Sequence, residues 1–422
     1  MPLRVAVLAR SVYPLHRYGG LERHVYDLLR HLLARAVSVT LIAPPRSPER
    51  PVDRVADGLF DHPRISFRPV PYTTFPFANR RGTTILDRST AYPLFGLRAG
   101  RLAARLVTAG EVDVVHGLGA SALGYALADC GPGARAPLVF NPQGLEEFGA
   151  TDPSRAPLKR AGYWPLRLAV RRTAAAADRV IATDRSLVRA VISHLDVRPD
   201  VVRVIPNAIA LHECDRPGTP ARARELREQT GLSADDVLLV SVGRLEANKG
   251  FGVLIRALSA LQNANTLPRR WRWVLVGDGP MREALARDVA ANGLRDSVVM
   301  TGRAELDDLH AWYEAATVFI HPTLYEGSSL VTLEAMAHRR AVIATRAGGL
   351  PDKVLPEVNG WLVPPGDVQA LADAIGDALS DRRRLISMGS ASRAIVEREF
   401  SWDAAVSQLI GVYEELLARK PL

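Results

Sequence analysis

Short apolar runs alternate along this chain with longer stretches in which apolar positions recur every three or four residues. In the first half the runs are Leu3–Ala9, Ser38–Ala43, Ile65–Val70, Val112–His116, Leu138–Asn141, Arg179–Thr183 and Val202–Ile205. In the second they are Val237–Val242, Trp273–Val276, Val298–Thr301, Thr317–His321, Ala341–Thr345 and Gly360–Val363. They barely alternate between apolar and polar, which predicts strands covered on both faces of a parallel sheet. Between them lie helical patterns: Val25, Leu28, Leu29 and Leu32 after the first strand, then Ala156–Arg179, the stretch after Lys249, a helix from about Met281, and Glu305–Ala316. Gln369–Leu379, Arg383–Glu399 and an amphipathic Phe400–Leu417 close the chain. Tyr72–Arg88 has no clear period and is expected as a mobile loop, and Leu211–Ala234, with Pro217 and Pro220, as a linker plus a helix. Strand and helix alternating in both halves predict the α/β class, with two doubly wound, Rossmann-like domains facing a cleft.

The most informative stretch runs from Phe319 to Gly349. A buried strand ends at His321, the loop Pro322–Gly327 carries Glu326, and Ser328 or Ser329 is placed to cap a helix reaching about Arg339. Glu334 lies inside that helix, Ala341–Thr345 is the next strand, and Gly348-Gly349 a turn. Such a unit places ligands at strand C-terminal ends, where the free N–H groups of a helix N-terminus suit a phosphate. The glutamates are eight residues apart, roughly 80° around a continuous helix at 3.6 residues per turn. From that spacing alone, a solvated Glu326 and a surface Glu334 are the simpler reading. With Glu326 in the loop, the pair would instead flank one ligand across the helix N-terminus.

A second loop offers matching charge. Val237–Val242 runs directly into GRLEANKGFG, where Arg244 and Lys249 can bracket a diphosphate and neutralise a leaving group. Two solvated cations are the alternative, but the chain has only four lysines, Lys159, Lys249, Lys353 and Lys420, and their scarcity favours the functional reading of the one in this loop. Near the N-terminus, Gly19-Gly20 joins the first strand to the first helix; Gly lets backbone N–H groups approach an anion closely, although a lone Gly-Gly is more often a plain turn. The spacing is not that of a dinucleotide fingerprint.

Composition narrows the class. The chain has 422 residues, 47% of them hydrophobic, and no apolar run approaches the roughly 18 residues a membrane span needs. Arg4 and Arg10 bracket a five-residue run, which is no signal peptide, so a cytoplasmic location is expected. Cys130 and Cys214 show no metal-ligand spacing and no disulfide framework. Residues 1–210 hold 29 Arg and Lys against 17 Asp and Glu, whereas residues 211–422 hold 25 against 28. The basic half suggests an anionic partner there: a membrane surface such as the inner face, a lipid-phosphate acceptor or an acidic glycan. General arginine richness explains the choice of Arg over Lys but not this asymmetry. Lys159, Arg160, Arg167, Arg171 and Arg172, with Tyr163 and Trp164, fit an interfacial helix or an ordinary surface helix. No nucleic acid is expected.

The stretch YEGSSLVTLEAMAHRRAVIATRAGGLPD resembles the E-x7-E signature of retaining glycosyltransferases of the GT-B fold, specifically glycosyltransferase family 4. The combination of both glutamates, the A-M-A run and G-G-L-P is far more specific than two glutamates alone. The loop Gly243–Gly250 is similar to the family's G-R-x-x-x-x-K-G. Gly277-Asp278-Gly279-Pro280 looks like its G-D-G-P, and Gly302-Arg303 would lie beside the base. Gly19, Gly20 and Glu22 match its G-G-x-E, which faces donor diphosphate and acceptor. The resemblance implies domains at 1–206 and 207–399, with 400–422 packing back on the first. It implies transfer of a sugar from a nucleotide diphosphate sugar to an unidentified acceptor, without a metal. The diphosphate would meet Arg244, Lys249 and the helix after Gly327, with Ser328, Ser329 and Leu330 beside it; Glu334 would hold the ribose and Glu326 the sugar hydroxyls.

Three stretches depart from the family. Gln143 stands where T-x-H-G usually has its histidine, and glutamine cannot accept a proton. A base, if needed, must then be His116, Glu146, Glu147 or the substrate, and His116 reads equally well as a buried, satisfied histidine. Ala208 replaces the usual hinge glycine, and Ser328-Ser329 stand where G-F-G-L or G-x-P-L is usual. The rivals are a nucleotide-sugar epimerase or a phosphorylase on the same fold, or a non-catalytic sugar- or lipid-binding relative.

Overall fold

The computed structural model describes residues 2–16, 20–46, 58–73, 84–129, 135–142, 145, 148 and 162–419. The chain divides into two compact units, residues 1–207 with 402–422, and residues 208–401.

The first unit is a seven-stranded parallel sheet: β1 (Arg4–Leu8), β2 (Ser38–Ala43), β3 (Ile65–Pro69), β4 (Val114–Leu118), β5 (Leu138–Asn141), β6 (Arg179–Ala182) and β7 (Val202–Val204), in the order β3-β2-β1-β4-β5-β6-β7. Its helices are α1 (Gly20–Ala34), α2 (Thr84–Thr108), α3 (Trp164–Ala175), α4 (Arg185–Leu195) and the closing helix Trp402–Ala418. Because strands such as β4, β5 and β6 are buried at every position, they read as continuous apolar runs. The end of the expected Tyr72–Arg88 loop is helical instead, since α2 starts at Thr84 and buries Ala91, Tyr92, Phe95, Ala99 and Ala103 along one stripe. Pro93 inside that helix hides it from a reading by propensity. Residues 74–83 of the same stretch lie outside the described residues. Helix α4 has a clear apolar face, with Leu187, Val191 and Leu195 buried, and the strand pattern alone passes over it.

The second unit is a six-stranded parallel sheet of β8 (Val237–Val242), β9 (Trp271–Val276), β10 (Val298–Gly302), β11 (Val318–His321), β12 (Val342–Thr345) and β13 (Gly360–Val363), in the order β10-β9-β8-β11-β12-β13. Its helices are α5 (Thr219–Gln229), α6 (Phe251–Asn263), α7 (Arg282–Ala291), α8 (Leu306–Ala315), α9 (Leu330–Ala337), α10 (Val368–Ser380) and α11 (Arg382–Ile395). They pack on both faces of the sheet and bury two apolar clusters, one around Phe319, Leu333 and Met336, the other around Trp273, Phe251 and Ile343. The chain enters and leaves this unit side by side, since Ile209 N donates to Phe400 O at 3.0 Å and Ile209 bridges Ser401. Among the described residues no helix is long and apolar enough to cross a membrane.

Candidate functional site

The order of the second sheet reverses direction between β8 and β11, which are paired in register at Val318 with Leu239 and Phe319 with Val240. A crevice opens at the C-terminal ends of two strands whose connections leave in opposite directions. From β8 comes the loop with Arg244 and Lys249, and from β11 the loop with Glu326. The two loops are tied together at Asn248, whose carbonyl accepts from Leu324 N at 2.7 Å and from Thr323 Oγ1 at 3.0 Å. Two glycines allow the close approach. A Cβ on Gly250 would stand 2.0 Å from Pro322 O, and one on Gly348 would stand 1.7 Å from Glu326 O; both have positive φ.

Lys249 Nζ donates to Glu326 Oε2 at 2.9 Å, and His321 Nε2 reaches the same oxygen at 2.8 Å. Glu326 Oε1 accepts from Gly327 N at 3.2 Å. The Lys249 and Glu326 side chains are 18% and 13% exposed, so each ion is partly withdrawn from water and needs the other. Burial alone would raise the Glu326 carboxyl, but the His321 hydrogen bond and the charges of His321 and Lys249 outweigh it, bringing it down to about 2. Burial pushes His321 below its ordinary value, against the pull of Glu326. An ionised carboxylate only accepts, so the proton of a neutral His321 sits on Nε2, and its buried Nδ1 has no hydrogen-bond partner among the described residues.

Helix α9 begins immediately beyond. Of the two candidate serines it is Ser329 that caps it, accepting from Thr332 N at 3.4 Å and sharing a 2.9 Å contact with Thr332 Oγ1. Ser328 Oγ is buried with no partner among the described residues, at the N-terminus of a helix. The helix ends at Ala337, two residues earlier than its pattern suggests, because Arg339 takes a positive φ. Leu330 is its first residue. Glu334 faces Tyr313, whose hydroxyl donates to Oε2 at 2.7 Å. Burial raises the Glu334 carboxyl, and the tyrosine bond offsets only part of that.

The remaining expected residues fall into three groups. Arg244 is exposed and pairs with Glu246 at 3.1 Å, on the same loop as Lys249 but not joined to Glu326. Gly277 and Gly302 bridge one another, Gly277 N donating to Gly302 O at 2.8 Å, and Arg303 is exposed beside them. Gly20 opens α1 and Glu22 lies in its first turn, both in the first unit. Gly19, Gln143, Glu146 and Glu147 lie outside the described residues.

His116 is placed differently from a base at a strand end. The strand runs two residues further than its pattern, so His116 sits in the middle of β4, 2% exposed, with Nδ1 2.5 Å from the Tyr413 hydroxyl of the closing helix. Its Nε2 is buried without a partner among the described residues, and it lines a small cavity with His24, Asn141, Trp402 and Val406. Burial, with a smaller contribution from His24, pushes it down to about 3. The histidine is buried, as in the second of its two readings, but among the described residues only one of its two ring nitrogens is satisfied.

Sequence spacing suggested no Cys or His ligand cluster, and here the structure corrects it. The fold brings Cys214, His310 and His338 together from three separate segments. Spacing along the chain cannot show this, because none of the three is a neighbour of another. His321 and Tyr313 were also missed. Each lies within an apolar pattern and reads as core, and the only signal for His321 is its position at a strand end five residues before Glu326.

The family described as Glycosyltransferase Family 4 matches residues 18–213, and that described as Glycosyl transferases group 1 matches residues 236–381. A D-inositol 3-phosphate glycosyltransferase from Xylanimonas cellulosilytica is 34% identical over 253 residues, which are 58% of this chain and 59% of that relative. The chain thus spans less than two thirds of its length. Another, from Acidothermus cellulolyticus, is 29% identical over 99% of this chain and 92% of its own. Among solved structures, HepE of Anabaena in complex with UDP superposes with a TM-score of 0.68 at 22% identity, covering 98% of this chain and 100% of that one. Both halves are matched in chain order, and the chain belongs to glycosyltransferase family 4, with the GT-B fold.

Proposed function

We propose that this protein transfers a sugar, with retention of anomeric configuration, from a nucleoside diphosphate sugar to an acceptor in glycan or glycolipid synthesis. The observation that carries the reading is the meeting of Lys249 and Glu326 at the strand-order reversal, directly before the N-terminus of α9. A diphosphate there would be met by the free N–H groups of α9, the Ser328 hydroxyl, Lys249 and the exposed Arg244. As the glycosidic bond to phosphate breaks, negative charge grows on the leaving diphosphate. A preorganised cation and helix dipole stabilise that charge more than they stabilise the bound donor. Glu326, kept ionised by Lys249 and His321, is a fixed acceptor for donor-sugar hydroxyls, and Glu334 an acceptor for the ribose. We assign no metal to the diphosphate, because the two cations and the helix would supply the charge a Mg²⁺ supplies elsewhere.

The acceptor is proposed to be anionic or lipid-linked and to meet the basic first unit. There α3 exposes Trp164 (64%) and Leu168 (42%) beside exposed Arg171 and Arg172. Aromatic, aliphatic and cationic groups on one solvent face fit the surface of an acidic membrane at its cytoplasmic side. The test is incubation of the protein with a panel of nucleoside diphosphate sugars, following slow hydrolysis and the anomer released by NMR. Cleavage of one donor with the anomeric configuration preserved is expected. Failure of every donor to bind or turn over, or an inverted product, would overturn the reading.

A further inference from the structure

The second unit holds a set of soft ligands that sugar transfer does not use. Cys214 ends a short helical turn, Leu211–Cys214; His310 lies on α8; His338 follows the last residue of α9. All three are buried, and their ligand atoms lie within 4.8 Å of one another. His310 Nδ1 and His338 Nε2 are 2.9 Å apart, and the other nitrogen of His338, Nδ1, is 3.1 Å from Glu314 Oε2. The carboxylate accepts, so His338 carries its proton on Nδ1 and turns the lone pair of Nε2 towards His310 Nδ1. A carboxylate behind a histidine, fixing its tautomer and orientation, is the arrangement that supports a metal-ligating imidazole. The Tyr313 ring stacks on His338, 5.8 Å between centroids and 17° between planes, and holds the imidazole in that plane.

We propose that Cys214 Sγ, His310 Nδ1 and His338 Nε2 bind one Zn²⁺ ion. Tetrahedral zinc, with bonds of about 2.0–2.1 Å to nitrogen and 2.3 Å to sulfur, sets its donor atoms roughly 3.3–3.7 Å apart. The separations here, from 2.9 Å to at most 4.8 Å, bracket that range, so small side-chain rotations close the site. One thiolate and two imidazoles select a zinc-class ion over Mg²⁺ or Ca²⁺, which take oxygen ligands. On binding, the Cys214 thiol gives its proton to solvent, and His310 moves its proton from Nδ1 to Nε2, so one proton is released per ion. The fourth position is left to a water molecule. The ion would clip the turn at 211–214 to α8 and to the C-terminal end of α9, the helix that carries Glu334. The site itself stands independently of the sugar-transfer reading.

The whole protein, purified without chelator, is expected to carry one zinc per chain by elemental analysis. Stripped and refilled with Co²⁺, it should show thiolate-to-cobalt charge-transfer absorption and the visible bands of a tetrahedral ion. Cys214→Ser should lose the charge-transfer band, and His338→Gln should weaken binding at least tenfold. Adding zinc to stripped protein should raise its melting temperature. If the stripped wild type takes up no stoichiometric zinc or cobalt, or binds cobalt without the thiolate band, the proposal fails, and neither of those readouts requires a variant to fold.

Discussion

Lys249 and Glu326 lie 77 residues apart in sequence and 2.9 Å apart in space. Neither side chain has much water around it, so removing one partner leaves a partly buried charge on the other. Lys249→Ala is expected to lower turnover at saturating donor by about 10²–10³, the scale of a removed transition-state charge contact. Arg244→Ala should fall in the same direction while the protein stays folded, because its side chain is exposed. Near-normal turnover in either variant takes that residue out of the site.

His321 acts on Glu326 and is expected to be a positioning residue. The Glu326 carboxyl lies at about 2, against an ordinary 4.5, so between these values the unfolded chain binds the extra proton. Its contribution to stability is therefore complete above about pH 4.5 and is lost as pH falls through about 2. In His321→Leu the carboxylate loses one hydrogen bond, at a cost of about 1–3 kcal/mol at neutral pH. The gap from wild type should narrow as pH falls below 4.5, and the acid limb of the activity profile should move to higher pH. His321→Gln, which keeps an N–H near the same place, should restore most of both. Identical pH profiles for all three proteins would show that His321 only fills space.

Sugar transfer should survive an excess of chelator. A loss restored by Mg²⁺ or Mn²⁺ would place a catalytic cation at the diphosphate. A loss restored by Zn²⁺ alone would point instead to the cysteine and histidine cluster, and the two are separated by measuring bound zinc in the same samples.

Binding to acidic vesicles should fall steeply with salt, because the Debye length shrinks from about 10 Å at 0.1 M to about 3 Å at 1 M. Trp164→Ala and Arg171→Ser with Arg172→Ser should each weaken cosedimentation without changing nucleotide affinity. Donor binding, made by close and partly buried contacts, should respond less to salt. Indifference to vesicle charge would leave the arginines of the first half as composition and favour a neutral acceptor.

The strands were largely legible because a sheet covered on both faces writes each strand as an apolar run. Ser38–Ala43, Leu138–Asn141, Val237–Val242 and Gly360–Val363 appear with the same bounds in pattern and structure. Helix α2 was hidden by its proline, and α4 by its position between two short strands. Lys249 and Glu326 announced themselves as charges in loops after buried strands. His321, Tyr313 and the ligand cluster did not, since a buried polar residue in an apolar pattern differs from its neighbours only through partners that are distant in sequence.

The first unit is completed by residues that follow the whole of the second. The closing helix supplies Tyr413 to His116 on β4, and Glu415 to Arg179 on β6, the latter at 2.6 Å. During synthesis the seven-stranded sheet therefore leaves the ribosome without its last covering helix and waits while about 200 residues of another unit are made. With chains extending at about 5–20 residues per second, that delay lasts roughly 10–40 s. Throughout it, the apolar surface around His24, His116 and Leu28 stays open to whatever holds nascent chains. The second unit has no such dependence and can fold as a continuous piece. The helix at 402–418 thus decides when the first sheet is finished.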